Sequence, residues 1–191
     1  MAVLKDPRCR LGLLGALTLA GVLAVAPAYA QVATAPELKA AFLLNFVKFT
    51  NWPASVTPDG GALTMCVVGD GRVVIALEEV TRNQRIDSRA IVVVALIYQD
   101  DVQRCHLLYA SGLRADREQS LIEATRGRPI LTASDSASFM KRGGVAAFHV
   151  ADGRMQFSVN PSAAERSHLR ISSKLLSLAV IVKDGDDVRI P

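Results

Sequence analysis

Two short, unbroken apolar runs constrain this chain more than any other feature. They are Leu63–Val68 and residues 91–97, both rich in valine and isoleucine, with a helical pattern over residues 72–81 between them. A strand-length run with no polar alternation must be covered on both faces, and two such strands joined through a helix belong in a parallel sheet. The same rhythm continues down the chain. Residues 105–109 make a third strand candidate, and a helix over residues 115–125 is terminated by Gly127 and Pro129. A short strand follows at residues 130–132, and Ser134 and Asp135 are placed to cap a small helix reaching Phe139 and Met140.

Then the pattern changes. Residues 145–150 run into Ala151-Asp152-Gly153, after which Met155, Phe157 and Val159 alternate with Gln156, Ser158 and Asn160. An Asp-Gly turn followed by strict alternation predicts an antiparallel hairpin whose second strand has one wet face, closing the sheet at an edge. Asn160-Pro161 starts a helical turn through Arg166. Ser172 or Ser173 caps a last helix with Leu175, Leu178, Ala179 and Val182 on one face, and the tail from Asp184 reads as loose. Ahead of the sheet, Pro36-Glu37 opens a first helix that ends near Asn51-Trp52-Pro53. Its Leu38, Ala41, Phe42, Asn45, Phe46 and Phe49 recur at spacings of three and four, and Leu43, Leu44 and Val47 carry the apolar stripe almost right round it. Either the domain or a partner must cover such a helix. The expected fold is α/β, a three-layer α/β/α sandwich with a mostly parallel central sheet and a C-terminal antiparallel edge hairpin.

The first 30 residues read as a secretory signal peptide, cleaved before Gln31. A basic start (Lys5, Arg8, Arg10) precedes an apolar stretch over residues 11–26 and then Ala28-Tyr29-Ala30, with small residues where a signal peptidase needs them. As an uncleaved anchor this core falls short of the ~20 residues that span a bilayer. Removing 30 of 191 residues leaves 161, a size that suits one domain over residues 31–191. Lys5, Arg8 and Arg10 against Asp6 carry +2 of the chain's +4, so the mature chain keeps only +2. Its charges are interspersed, as in Arg114-Ala115-Asp116-Arg117-Glu118, which argues against a nucleic-acid track. No second apolar run reaches spanning length, so the mature protein is not itself membrane-spanning. Cys9 leaves with the signal. Cys66 and Cys105 remain, an even pair in an oxidising compartment, which favours a disulfide over two buried thiols.

No constellation for chemistry emerges. Val67-Val68-Gly69-Asp70-Gly71-Arg72 sits between strand and helix, but position 74 is valine rather than the third glycine of a dinucleotide loop, and no Walker sequence occurs. His106, His149 and His168 lack zinc-ligand spacing, and no Gly-x-Ser-x-Gly is present. Cys105 and His106 are neighbours on a strand and point to opposite faces, so the imidazole is badly placed to activate that thiol. The chain is therefore read as no enzyme, with no catalytic residue, metal or cofactor. Apolar surface is what remains. The first helix, the hairpin and the stretch Leu169-Arg170-Ile171-Ser172-Ser173-Lys174-Leu175-Leu176 supply the candidate partner-binding residues Phe42, Leu44, Phe157, Ile171 and Leu176. Arg170 could contact a carboxylate or phosphate, or serve as a surface ion pair.

Four stretches in order carry a family resemblance: Lys39-Ala40-Ala41-Phe42-Leu43-Leu44-Asn45-Phe46-Val47-Lys48-Phe49-Thr50-Asn51-Trp52-Pro53, Cys66-Val67-Val68-Gly69-Asp70, Gly143-Gly144 before Phe148, and Ile171-Ser172-Ser173-Lys174-Leu175-Leu176-Ser177-Leu178-Ala179. Over about residues 37–182 the chain resembles the YfiR family. That resemblance implies a periplasmic, homodimeric repressor that binds the periplasmic sensor region of an inner-membrane diguanylate cyclase and lowers cyclic-di-GMP signalling. It also implies an outer-membrane lipoprotein able to sequester the repressor. Cys66 and Cys105 match the family's first cysteine pair. No cysteine follows Cys105, which puts in doubt any redox switch built on a second pair. The alternative is a periplasmic small-molecule-binding module feeding another membrane sensor, such as a histidine kinase.

Overall fold

The computed structural model describes residues 35–56, 61–97 and 101–184. In chain order the elements are α1 (Ala35–Lys48), β1 (Thr50–Asn51), β2 (Leu63–Val68), α2 (Gly71–Thr81), β3 (Arg85–Ile86), β4 (Arg89–Leu96), β5 (Leu107–Ala110), α3 (Ala115–Thr125), β6 (Leu131–Ser134), β7 (Ala146–Ala151), β8 (Arg154–Val159), α4 (Pro161–Arg166), β9 (Arg170–Ile171), α5 (Ser173–Leu176) and β10 (Val180–Ile181). Eight of these strands form one sheet in the order β10, β8, β7, β6, β5, β2, β4, β3. Strands β4, β2, β5, β6 and β7 are parallel, and β8 turns back antiparallel on β7 with Phe148 opposite Phe157. The fold is the α/β sandwich expected, with its mostly parallel sheet and C-terminal hairpin.

The pleat of β2 sorts its side chains between two layers. Leu63, Met65 and Val67 face α1 and α2, where they join Leu43, Phe46, Val47, Val73 and Leu77. Cys66 and Val68 face the other way, toward Leu121 of α3 and the segment around Val102 and Cys105. Local chemistry sets the helix starts. Asp70 accepts the backbone N–H of Arg72 to cap α2, Asn160 accepts that of Ala163 ahead of Pro161, and Ser172 caps α5.

Six expectations need correction. Strand β4 is not covered on both faces: it lies one strand from the sheet edge, and Val92 is left exposed. The first helix stops at Lys48 rather than near Asn51, because Thr50 and Asn51 pair antiparallel with Ile171 and Arg170 in a separate two-stranded sheet. The last helix ends after Leu176, and Val180–Ile181 instead extends the main sheet beside β8. The hairpin is thus one strand in from the edge. Asp184 is not loose, since it accepts from Asn160 Nδ2 and pairs with Arg166. Ser134 and Asp135 cap no α-helix: Ser134 Oγ accepts from Ser136 N in a turn that leads to a single 3-10 turn at Met140–Arg142. The signal-peptide reading lies outside the described residues.

Candidate functional site

The predicted partner-binding residues separate into an interior group and a surface group. Leu44 and Phe157 are 5 % and 4 % exposed, and both belong to the main core. Phe42 packs against that core with its ring 5.3 Å from Phe157 and 6.0 Å from Phe148. Phe46 stacks on Phe148 at 5.6 Å and meets Phe157 edge-on at 5.0 Å. The domain itself therefore covers α1, and the hairpin supplies much of the cover. Ile171 and Leu176 are only half-buried.

Directly after Leu176 the surface becomes apolar. Leu178, Val180 and Ile181 are 75 %, 44 % and 47 % exposed, and two of them lie on β10, the outermost strand on that side of the sheet. An exposed greasy edge strand offers unpaired backbone and side-chain area together, the combination that recruits another chain. Sequence periodicity missed this surface, because Leu178 and Val182 at helical spacing looked like the buried face of a longer helix. Arg170 is exposed on β9 and lines a hollow of about 440 Å³ with Ala164, Glu165, Leu169 and Leu176.

A polar cluster stands at the carboxyl ends of the parallel strands. The chain runs from β2 outward to β4 and then returns to β5 on the opposite side of β2, so β2 and β5 flank a topological switch point. The loops after these strands touch: a Cβ at position 69 would sit 1.9 Å from the carbonyl oxygen of Ser111, and Gly69 holds φ +93°. Glycine there allows the close strand-loop approach. Beside it, Asp135 Oδ2 accepts from Lys39 Nζ at 2.7 Å, Ser111 Oγ at 2.9 Å and the Tyr109 hydroxyl at 3.2 Å. Burial by itself would raise the Asp135 pKa, but Lys39, Ser111 and Tyr109 outweigh it and hold the carboxyl below its ordinary value. Burial likewise opposes the Lys39 charge, and its bonds to Asp135 and Tyr109 leave the amine above its ordinary value. Burial raises the Tyr109 phenol. The donors all converge on one carboxylate oxygen, so the cluster clamps α1 to β5 and β6. Its members are up to 96 residues apart and carry no motif, which hid them from the sequence.

Cys66 and Cys105 form a disulfide, with Cα atoms 5.8 Å apart, and both residues are buried. His106 is held by Thr64 N, which donates to Nδ1, and by a contact of Nε2 with Val56 O at 2.9 Å. Nδ1 is thus the acceptor and Nε2 carries the hydrogen. Among the described residues no group of three or more His, Cys, Asp or Glu side chains is placed to hold a metal ion. No described helix is long and apolar enough to cross a membrane.

A family model described as YfiR/HmsC-like matches residues 36–180. No curated protein matches the chain. Among solved structures, the chain is similar to a conserved domain protein from Vibrio cholerae O1 biovar El Tor, with 13 % identity and a TM-score of 0.49. That match covers 80 % of this chain and 61 % of the other, so the chain spans about three fifths of its length.

Proposed function

Since the chain belongs to the YfiR/HmsC-like family, whose members are periplasmic regulators of diguanylate cyclases, we propose that it docks on the periplasmic sensor region of an inner-membrane diguanylate cyclase and represses it. The family is regulatory rather than catalytic. The observation that carries the docking reading is the exposed apolar run Leu178, Val180 and Ile181 on the open strand β10, continuous in sequence with the half-buried Leu176. Ile171 and Leu176 belong to this reading, whereas Leu44 and Phe157 act through the core that supports it.

Repression needs no chemistry. A regulator that binds one conformation of the sensor better than the other biases the enzyme across the membrane by that difference in binding energy. Moving a two-state sensor from nearly all active to nearly all inactive takes about 5.5 kcal/mol of differential affinity. An apolar interface of ordinary size supplies that much. An outer-membrane lipoprotein that captured the same surface would relieve the repression.

The double substitution Leu178→Asp with Ile181→Asp tests the reading. Both positions are exposed, so thermal stability should stay near the parent value while co-purification with the sensor domain is lost and cellular cyclic-di-GMP rises. A folded double variant that still binds and represses would remove β10 from the interface. A second reading rests on the hollow beside Arg170: a small anionic ligand bound there would make the protein a module for another sensor, such as a histidine kinase. Thermal shift with carboxylate and phosphate metabolites, lost in Arg170→Ala, would favour it.

A further inference from the structure

Between the end of α3, the middle of β6 and the end of α4 lies a hollow of about 510 Å³ that neither the docking surface nor the clamp at Asp135 uses. Three arginines from three separate elements line it: Arg126 directly after α3, Arg142 in the 3-10 turn and Arg166 at the end of α4. Gly127 and Gly143 also line it, with φ of +68° and +102°, so at those two points the wall is bare backbone and no side chain fills the space.

Donors outnumber acceptors there. Arg142 gives Nη1 to Glu118 at 2.6 Å and to Ser138 Oγ, which leaves Nε and Nη2 without an acceptor among the described residues. Thr132, which also lines the hollow, is 5 % exposed. Its Oγ1 accepts from Val145 N at 3.1 Å, and its own hydrogen has no acceptor among the described residues. A buried donor left unused calls for a partner. Arg166 holds Asp184 in an exposed pair, and the Arg126 guanidinium has no partner among the described residues. Three guanidinium groups thus meet two carboxylates, and the positive charge left over belongs to Arg126. Complementing the helix dipoles accounts for arginines at the ends of α3 and α4. It does not account for Arg142 or for the spare hydrogen of Thr132.

We propose that this hollow binds a small oxyanion ligand, a molecule bearing a phosphate or carboxylate group, held by Arg126, Arg142 and the Thr132 hydroxyl. A guanidinium edge meets two oxygens of such a group at once, which a halide cannot exploit. The volume lies within the roughly 300–1,000 Å³ of small-molecule sites and exceeds what a bare ion needs. Ile122 and Ala163, both in its lining, are left for the organic remainder. Binding ties α3 to β6 and α4, and so raises the melting temperature with ligand concentration.

Isothermal titration calorimetry on the purified full chain tests this with inorganic phosphate and, separately, with succinate, sodium chloride holding the ionic strength constant. At least one of the two should bind at a single site with a dissociation constant below about 5 mM. Arg126→Gln should weaken that binding at least about ten-fold. Arg142→Lys keeps a cation beside Glu118 but loses the planar fork, and should weaken it by about the same factor. Arg128→Gln, exposed and outside the lining, should stay within about two-fold of the parent. Binding of phosphate alone assigns a phosphate ligand, and binding of succinate alone a carboxylate. No saturable binding of either up to about 50 mM would overturn the proposal. So would unchanged binding in Arg126→Gln and Arg142→Lys, or an equal loss in Arg128→Gln. The assay needs no cyclase, and every variant keeps Arg170, so its outcome is separate from the docking test on β10 and from binding beside Arg170.

Discussion

The two faces of the sheet are covered by different means. On the face under α1 and α2, five aromatic rings interlock: Phe42, Phe46, Tyr109, Phe148 and Phe157 lie within 5.0–6.0 Å of one another in pairs. Leu43, Met65, Leu77 and Leu107 surround them with no exposed area. On the opposite face α3 contributes Leu121 to a smaller cluster of Cys66, Val68, Leu96, Val102, Leu108, Ala110 and Ile130, with Val92 of β4 left bare. The thinner layer is the one that holds the disulfide. A face with ample apolar area is held by burial, whereas a face with too little gains from restricting the unfolded chain.

The strongest test of that contrast is Leu44→Asp. Burying an unpaired carboxylate in the aromatic face exceeds the 5–15 kcal/mol margin of most domains or consumes much of it, so no cooperative thermal transition should remain. Next comes the thin face. Replacing Cys66 and Cys105 together by serine opens a loop with a sequence separation of 39 and should cost up to about 4 kcal/mol in urea unfolding. A cost below about 1 kcal/mol would mean that the α3 face stands by packing alone.

The clamp between α1 and the sheet gives a smaller, pH-dependent effect. Asp135 is held below its ordinary pKa in the folded state, so its contribution is present above the unfolded carboxylate value near 3.8 and is lost as pH falls through the lower folded value. Asp135→Asn should therefore lower stability at neutral pH and flatten the acid limb of the stability curve in that range, measured by urea midpoints between about pH 2 and pH 7. An unchanged acid limb would assign acid sensitivity elsewhere. The smallest effect belongs to the rim that neither face covers. Leu178→Asp should change the melting free energy by no more than about 0.5 kcal/mol.

The same contrast explains what could be read from the residues. Elements with a strong local pattern were legible: α3 begins and ends at the predicted residues, and β2 occupies the whole of its apolar run. Elements set by long-range pairing were not. Thr50–Asn51 and Arg170–Ile171 are strands only because they meet across 120 residues, and Val180–Ile181 left a helical periodicity for a place beside β8. Gly144 shows why a motif can be recognised without its reason. A Cβ there would lie 2.1 Å from the ring of Phe139, itself 1 % exposed, a constraint that only packing reveals. The surface sites were hidden for a related cause: an apolar residue at helical spacing looks alike in sequence whether its face is covered, as at Leu44, or bare, as at Leu178.

The bond between Cys66 and Cys105 also sets a schedule. Thiols stay reduced at the ribosome, so a newly made copy lacks that crosslink and its α3 side is the easier to pull apart. Such a copy is short of up to about 4 kcal/mol and opens more readily. An oxidising environment closes the bond, and the domain then locks around a buried crosslink.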